Sequence, residues 1–145
     1  MKHVIAKTEK DTQNFAKKLA KSLKGGEIIA LEGELGAGKT TLTQYLAKEF
    51  KVKESVTSPT FVLMKVYLTR NLQSAIRNLI HVDCYRLDDP QELFYLGIEE
   101  YLNKKDTVVI IEWADKIKSY LKEFKKVIWI KILLKNNLRI FHIIH

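Results

Sequence analysis

The run Gly33-Glu34-Leu35-Gly36-Ala37-Gly38-Lys39-Thr40 matches in full the phosphate-binding pattern G-x-x-x-x-G-K-[ST]. Such a loop constrains its neighbours as strongly as itself, because it works between a strand and a helix. Both are legible here. Gly26 to Glu32 reads as a short buried strand entering the loop. Thr41 to Phe50 reads as a helix leaving it, with Leu42, Tyr45, Leu46 and Phe50 on one apolar face. The glycines let successive backbone N–H groups converge on one phosphate chain, and the helix N-terminus adds the positive end of its dipole. Lys39 is expected to reach the outer phosphates, and the Thr40 hydroxyl to sit on a magnesium ion. A glycine-rich helix cap with a solvated lysine is the bland alternative, but it leaves the flanking strand and helix unexplained. A nucleoside triphosphate site is the expectation.

With 145 residues the chain has room for one domain, spanning 1–145, and hardly for two. Its apolar runs are too short to span a membrane, and its first residues lack the sustained apolar stretch of a secretory signal. One cysteine, Cys84, rules out an internal disulfide, fits a reducing cytoplasm, and is expected to serve packing rather than nucleophilic chemistry. The 25 Lys and Arg against 17 Asp and Glu give a net charge of +8, which favours anionic partners such as nucleotide, RNA or an acidic protein surface. These cations are spread out, as at Lys17, Lys18, Lys21 and Lys24, and again at Lys122, Lys125 and Lys126. With no arginine block or aromatic stacking motif beside them, a solvated lysine-rich surface remains an open alternative to nucleic-acid binding.

Along the chain, Val4-Ile5-Ala6 predicts a first short strand. Thr8 to Asp11 has capping-box spacing, with Phe15, Leu19 and Leu23 on the helix behind it. Lys24-Gly25-Gly26 is expected to end that helix through a left-handed glycine cap. Pro59 opens a β-rich stretch, Phe61 to Tyr67, with Ala75 to Asp83 as its antiparallel partner. Pro90 suits the first position of a helical segment. Val108-Val109-Ile110-Ile111-Glu112 reads as a central strand buried on both faces. Val127 to Leu134 and Leu138 to Ile144 predict a hairpin around Lys135-Asn136-Asn137, appended to the sheet. The expected fold is a single α/β domain of P-loop NTPase type, its mixed sheet flanked by helices and followed by a C-terminal β-hairpin.

Hydrolysis needs a held metal and a positioned water besides the phosphate loop. Two carboxylates close predicted strands, Asp83 and Glu112, and the carboxyl ends of strands form the ligand crevice of an open α/β sheet. Either acid can alternatively cap its next turn, and the sequence does not decide which of them orients the water. His81 and Asp83 alternate like a ligand pair, but no third ligand lies nearby, so a transition metal is not expected. Ser55 to Thr60 is polar and bent at Pro59; it is either a nucleotide-sensing segment or simply a loop with a turn.

Four segments occur together in order: Leu31 to Thr41, Thr57-Ser58-Pro59-Thr60-Phe61, His81-Val82-Asp83-Cys84-Tyr85-Arg86-Leu87 and Ile111-Glu112-Trp113. With Asp89 to Leu93 and Gly97 to Tyr101, the chain resembles the TsaE (also called YjeE) family from about Thr8 to Arg139. The resemblance implies a bacterial cytoplasmic ATPase of tRNA threonylcarbamoyladenosine synthesis, working with TsaD-type and TsaB-type transferase subunits and touching tRNA only indirectly or weakly. It implies that ATP hydrolysis supports repeated turnover of the transferase. It further implies that Leu35, Gly36, Ala37, Gly38, Lys39, Thr40 and Thr41 bind phosphates. Thr40 and Glu112 would hold magnesium, with Asp83 at the metal site and needed for hydrolysis; Lys39 would act in catalysis. Trp113 would border the site and Thr12 the adenine. Where the family has Leu-Gly after the loop helix, this chain has Glu49-Phe50-Lys51, and it ends soon after the hairpin at His145; either departure bears on partner contacts.

Two other readings stand beside this one. A small nucleoside or metabolite kinase pairs the same loop with a strand-end acid, but needs an arginine-bearing lid, and Arg70, Arg77, Arg86 and Arg139 are not clustered. No arginine stands at an obvious finger position for the loop. A nucleotide-gated RNA-binding module is favoured by the net charge of +8.

Overall fold

The computed structural model describes residues 2–145. Strand β1 (Lys2–Ala6) leads into helix α1 (Glu9–Ser22), β2 (Ile28–Glu32) and α2 (Lys39–Glu49). Next come β3 (Met64–Leu68), β4 (Asn78–Asp83), α3 (Gln91–Tyr95), β5 (Thr107–Glu112), the short α4 (Lys118–Leu121), β6 (Val127–Lys135) and β7 (Leu138–Ile144). All seven strands join one sheet in the order β1-β7-β6-β2-β5-β4-β3. The inner four, β6, β2, β5 and β4, run parallel; β3 and β7 pair antiparallel with their neighbours, as does β1 with β7.

Side-chain alternation decides what reaches the site, because successive residues of a strand point to opposite faces. On one face Ile29 and Leu31 of β2, Val108 and Ile110 of β5 and Leu79 of β4 meet Phe15 and Leu19 of α1 and Leu42 and Leu46 of α2. On the other, Ile28, Ala30, Val109, Ile111, Ile80 and Val82 meet Leu93, Ile98, Ile117 and Leu121. Coverage on both faces explains why these strands are continuously apolar rather than alternating. Truncating Leu42, fully buried between α2 and the sheet, to Ala would cost roughly 2–5 kcal/mol. Continuing the same parity puts His81, Asp83 and Glu112 on the α2 face.

Local signals explain most boundaries. Thr8 caps α1, accepting from the Asp11 N–H while the Asp11 carboxylate accepts from the Thr8 N–H, a complete capping box. The glycine cap expected at its other end is absent: α1 closes on Leu23 in extended conformation, and the left-handed Gly25 and Gly26 turn the chain into β2 instead. Gly25 has no alternative, since a Cβ there would lie 1.7 Å from the Lys105 carbonyl oxygen. The strand expected from Phe61 begins only at Met64, because Pro59 to Leu63 forms a turn in which Leu63 has φ +65°. The C-terminal hairpin turns on Asn136 and Asn137, both left-handed as a two-residue hairpin requires. It is not appended. Through β6–β2 and β7–β1 pairing it supplies two interior strands that join β1 to the rest of the sheet.

Candidate functional site

The phosphate loop leaves β2 at Gly33 and ends where α2 begins at Lys39. Gly38, with φ +109°, precedes the helix without any side-chain cap, so the N–H groups of its first turn are open to an anion. A cleft of about 320 Å³ lies over them, lined on the loop side by Leu35, Gly36, Gly38, Lys39, Thr40 and Thr41. Asp83, Glu112 and Trp113 from the strand ends form the opposite wall, with Ser58, Thr60 and Tyr85. Ala37 lies beneath the loop, buried in the core, and forms no part of the wall.

Lys39 is 4% exposed. Its Nζ donates to the carbonyls of Gly33 at 2.6 Å and Glu34 at 3.0 Å and stands 4.0 Å from the Trp113 ring centre. Burial holds its pKa below the ordinary lysine value, while the charges of Glu112 and then Asp83 pull it back upward. Trp113 follows Glu112 in a left-handed conformation, φ 57° and ψ 40°, unusual for so bulky a residue, and lies against Tyr85 at 4.9 Å. That strain swings the indole over the lysine, where a chain continuing as a strand would carry it away.

Glu112 and Asp83 are register partners on adjacent parallel strands. Glu112 Oε1 accepts from the Thr40 hydroxyl at 2.7 Å, tying the strand end to the loop helix. Its Oε2 meets His81 Nε2 at 2.5 Å. Asp83 accepts from the Ser58 hydroxyl and from Thr60 at 3.2 Å through Oδ2, and from the Tyr85 N–H at 2.8 Å through Oδ1. The sequence therefore brings together Lys39, Thr40, Asp83, Glu112 and Trp113, and it places Ser58 and Thr60 on the acid rather than leaving them in a bare turn. Among the described residues no cluster of three or more His, Cys, Asp or Glu forms a metal cage. A hydroxyl and two carboxylates, all hard oxygen donors beside an open cleft, could hold magnesium in the way it is held beside phosphates, by few protein ligands. His81 is not among them, its Nε2 being engaged by Glu112. Cys84 is buried, its thiol pushed up to about 12 by burial first and by Asp83 next; it packs among the apolar residues behind β4 and β5.

Two residues escaped the sequence. Arg139, at the start of β7, packs so closely against the loop that a Cβ on Gly38 would lie 2.7 Å from its Cζ. Arg139 lies beside the loop but outside the lining of the phosphate cleft; β7 pairs with β6, and β6 with β2, which brings Arg139 to Gly38 across a long stretch of sequence. Arg139 Nη1 donates to buried Thr12 at 3.4 Å, and its buried Nε has no partner. Thr12 and Arg139 line a second cleft, about 180 Å³, distinct from the phosphate cleft. The other is His81 as the partner of Glu112; its two-residue spacing from Asp83 was the available signal, since it puts both on one face.

The family model described as threonylcarbamoyl adenosine biosynthesis protein TsaE matches residues 6–140. The chain belongs to the TsaE family. Among relatives named tRNA threonylcarbamoyladenosine biosynthesis protein TsaE, that of Rickettsia typhi is 43% identical over 115 residues, covering 79% of this chain and 75% of the relative. The one from Treponema pallidum is 32% identical over 133 residues, covering 92% and 93%. The crystal structure of Bacillus subtilis YdiB superposes with a TM-score of 0.73 at 29% identity, covering 98% of this chain and 83% of that one. The match to the TsaE model takes in the loop, both strand-end acids, Thr12 and Arg139. Among the described residues, no helix of this TsaE chain is long and apolar enough to cross a membrane.

Proposed function

We propose that this chain binds ATP with magnesium and hydrolyses it to ADP and phosphate. In this reading it is the accessory subunit of a TsaD-type and TsaB-type transferase pair that makes threonylcarbamoyladenosine in tRNA, in the cytoplasm. The observation that carries the reading is the Thr40–Glu112 hydrogen bond, 2.7 Å, with Asp83 in register opposite Glu112. It joins the phosphate loop to the strand-end acids, the two halves that hydrolysis needs together.

Each residue then has a task. The open N–H groups at the start of α2 receive phosphate oxygens, and Lys39 exchanges its two carbonyl partners for the outer phosphates. Thr40 and Glu112 hold magnesium, which when bound neutralises charge on the phosphates. Asp83, fixed by the Tyr85 N–H, offers its other oxygen to orient the attacking water in place of the Ser58 and Thr60 hydroxyls. Arg139 and Thr12, joined through Nη1 and lining the cleft beside the loop, close the nucleoside side. Release of phosphate without any phosphorylated acceptor, lost in Asp83→Ala and Glu112→Ala with the fold intact by circular dichroism, tests this against a kinase. Pull-down of the transferase pair with ATP, ADP or no nucleotide tests the partnership: nucleotide-dependent capture supports it, and equal capture with no change in ATP turnover overturns it.

A further inference from the structure

A second groove, about 540 Å³, lies away from the phosphate cleft, between α4 with the turn after it and the open face of β6. Its floor is apolar, made by Leu121, Phe124, Val127, Trp129 and Ile144. Its rim is basic: Lys118, Lys122, Lys125 and Lys131, all exposed. The one acidic side chain among its lining residues, Glu32, already accepts from Trp129 Nε1 at 2.9 Å and pairs with Lys131 at 3.4 Å. Among the described residues, Lys118, Lys122 and Lys125 pair with no carboxylate. Helices cover this face of the sheet over β4, β5 and β2, yet not over β6, which is why the floor stays open.

We propose that this groove seats an acidic segment of a partner protein, one that carries a bulky apolar side chain between Asp or Glu residues. The apolar side chain fills the floor, and the flanking carboxylates meet the lysine rim, a charge complement that the free chain lacks. Single-stranded RNA fits less well, because it needs exposed aromatic faces for stacking. Trp129 is pinned by Glu32 and has the Lys118 ammonium 5.3 Å from its ring centre, while Phe124 packs edge-on against Tyr120. The groove reads independently of the nucleotide site, although Glu32, its one acid, immediately precedes the phosphate loop.

The test uses the full chain and three fluorescein-labelled probes: a short peptide with Leu-Phe flanked by Asp and Glu, an equally acidic peptide without apolar residues, and an oligouridylate. Fluorescence polarisation is expected to show binding of the first, weaker binding of the second, and a decline for both as salt rises. Lys122→Glu with Lys125→Glu, both exposed and remote from the phosphate cleft, should weaken the first about tenfold or more. ATP affinity of the same double variant should be unchanged, which separates failure here from failure of the nucleotide reading. Three outcomes overturn the proposal: no binding of the first peptide, binding indifferent to the charge reversal, or tighter binding of the oligouridylate that is lost on reversal.

Discussion

His81 and Glu112 meet at 2.5 Å inside the sheet, one from the middle of β4 and one from the end of β5, with the imidazole fully buried. The contact leaves Glu112 one oxygen turned to Thr40 and the cleft, and holds the other out of reach of solvent. Because His81 supplies the fixed end, its loss should be felt both as stability and as metal binding. His81→Ala removes a buried ring and one hydrogen bond to a carboxylate, and should cost roughly 2–4 kcal/mol in urea unfolding. Glu112→Gln keeps the shape and an acceptor oxygen for the His81 N–H, so it should cost far less while abolishing the magnesium dependence of ATP affinity. Equal destabilisation by the two would contradict this division of labour.

Lys39 donates to the Gly33 and Glu34 carbonyls, so its ammonium stands within the loop and needs only to exchange partners. Each charge-assisted bond to phosphate is worth roughly 1.5–3 kcal/mol, so Lys39→Ala should weaken ATP binding by about ten- to a hundredfold or more. Calorimetric titration checks it; unchanged affinity would remove the loop from nucleotide binding.

Gly36 and Gly38 are both left-handed, but only Gly38 has a neighbour. A Cβ on Gly36, at φ +80°, would meet nothing within 4 Å, whereas one on Gly38 would displace the Arg139 guanidinium. Gly36→Ala should therefore meet no protein atom and cost the fold about 1–2 kcal/mol of backbone strain. Gly38→Ala should add a loss of ATP affinity that is not additive with Arg139→Ala in a double-mutant cycle. Full additivity would mean that Arg139 does not act through the loop.

The strand–loop–helix unit was legible because glycine spacing and apolar periodicity are local properties. The strand-end acids were legible for the same reason: Val108 to Ile111 is apolar at every position and Glu112 interrupts it. Arg139 was not, since its place depends on two strand pairings that no local pattern announces. Phe61 misled for another reason. It is β-prone and lies just beyond Pro59 and Thr60, yet it is 83% exposed in a turn with Arg86 over its ring at 4.6 Å, because Ser58 and Thr60 are held on Asp83 and the strand cannot start before Met64.

The capping box of α1 offers a check on the fold that is read from stability rather than from nucleotide binding. Thr8→Ala should cost about 1 kcal/mol. The Asp11 carboxylate is held below its ordinary value of 3.8, chiefly by the N–H of Lys7 and then that of Thr8. A lowered folded value means that its contribution is present above pH 3.8 and is lost as pH falls through that lower value. Thermal unfolding of Asp11→Asn should accordingly differ from that of the parent at neutral pH and converge with it in strong acid.

Phosphate release from ATP in the presence of magnesium, measured on the chain with and without the transferase pair and compared with Asp83→Ala, tests the central claim most directly. The account predicts slow release by the chain alone, faster release with the pair, and none in Asp83→Ala although ATP still binds. Release at an undiminished rate from Asp83→Ala, or none from the parent under either condition, would contradict it.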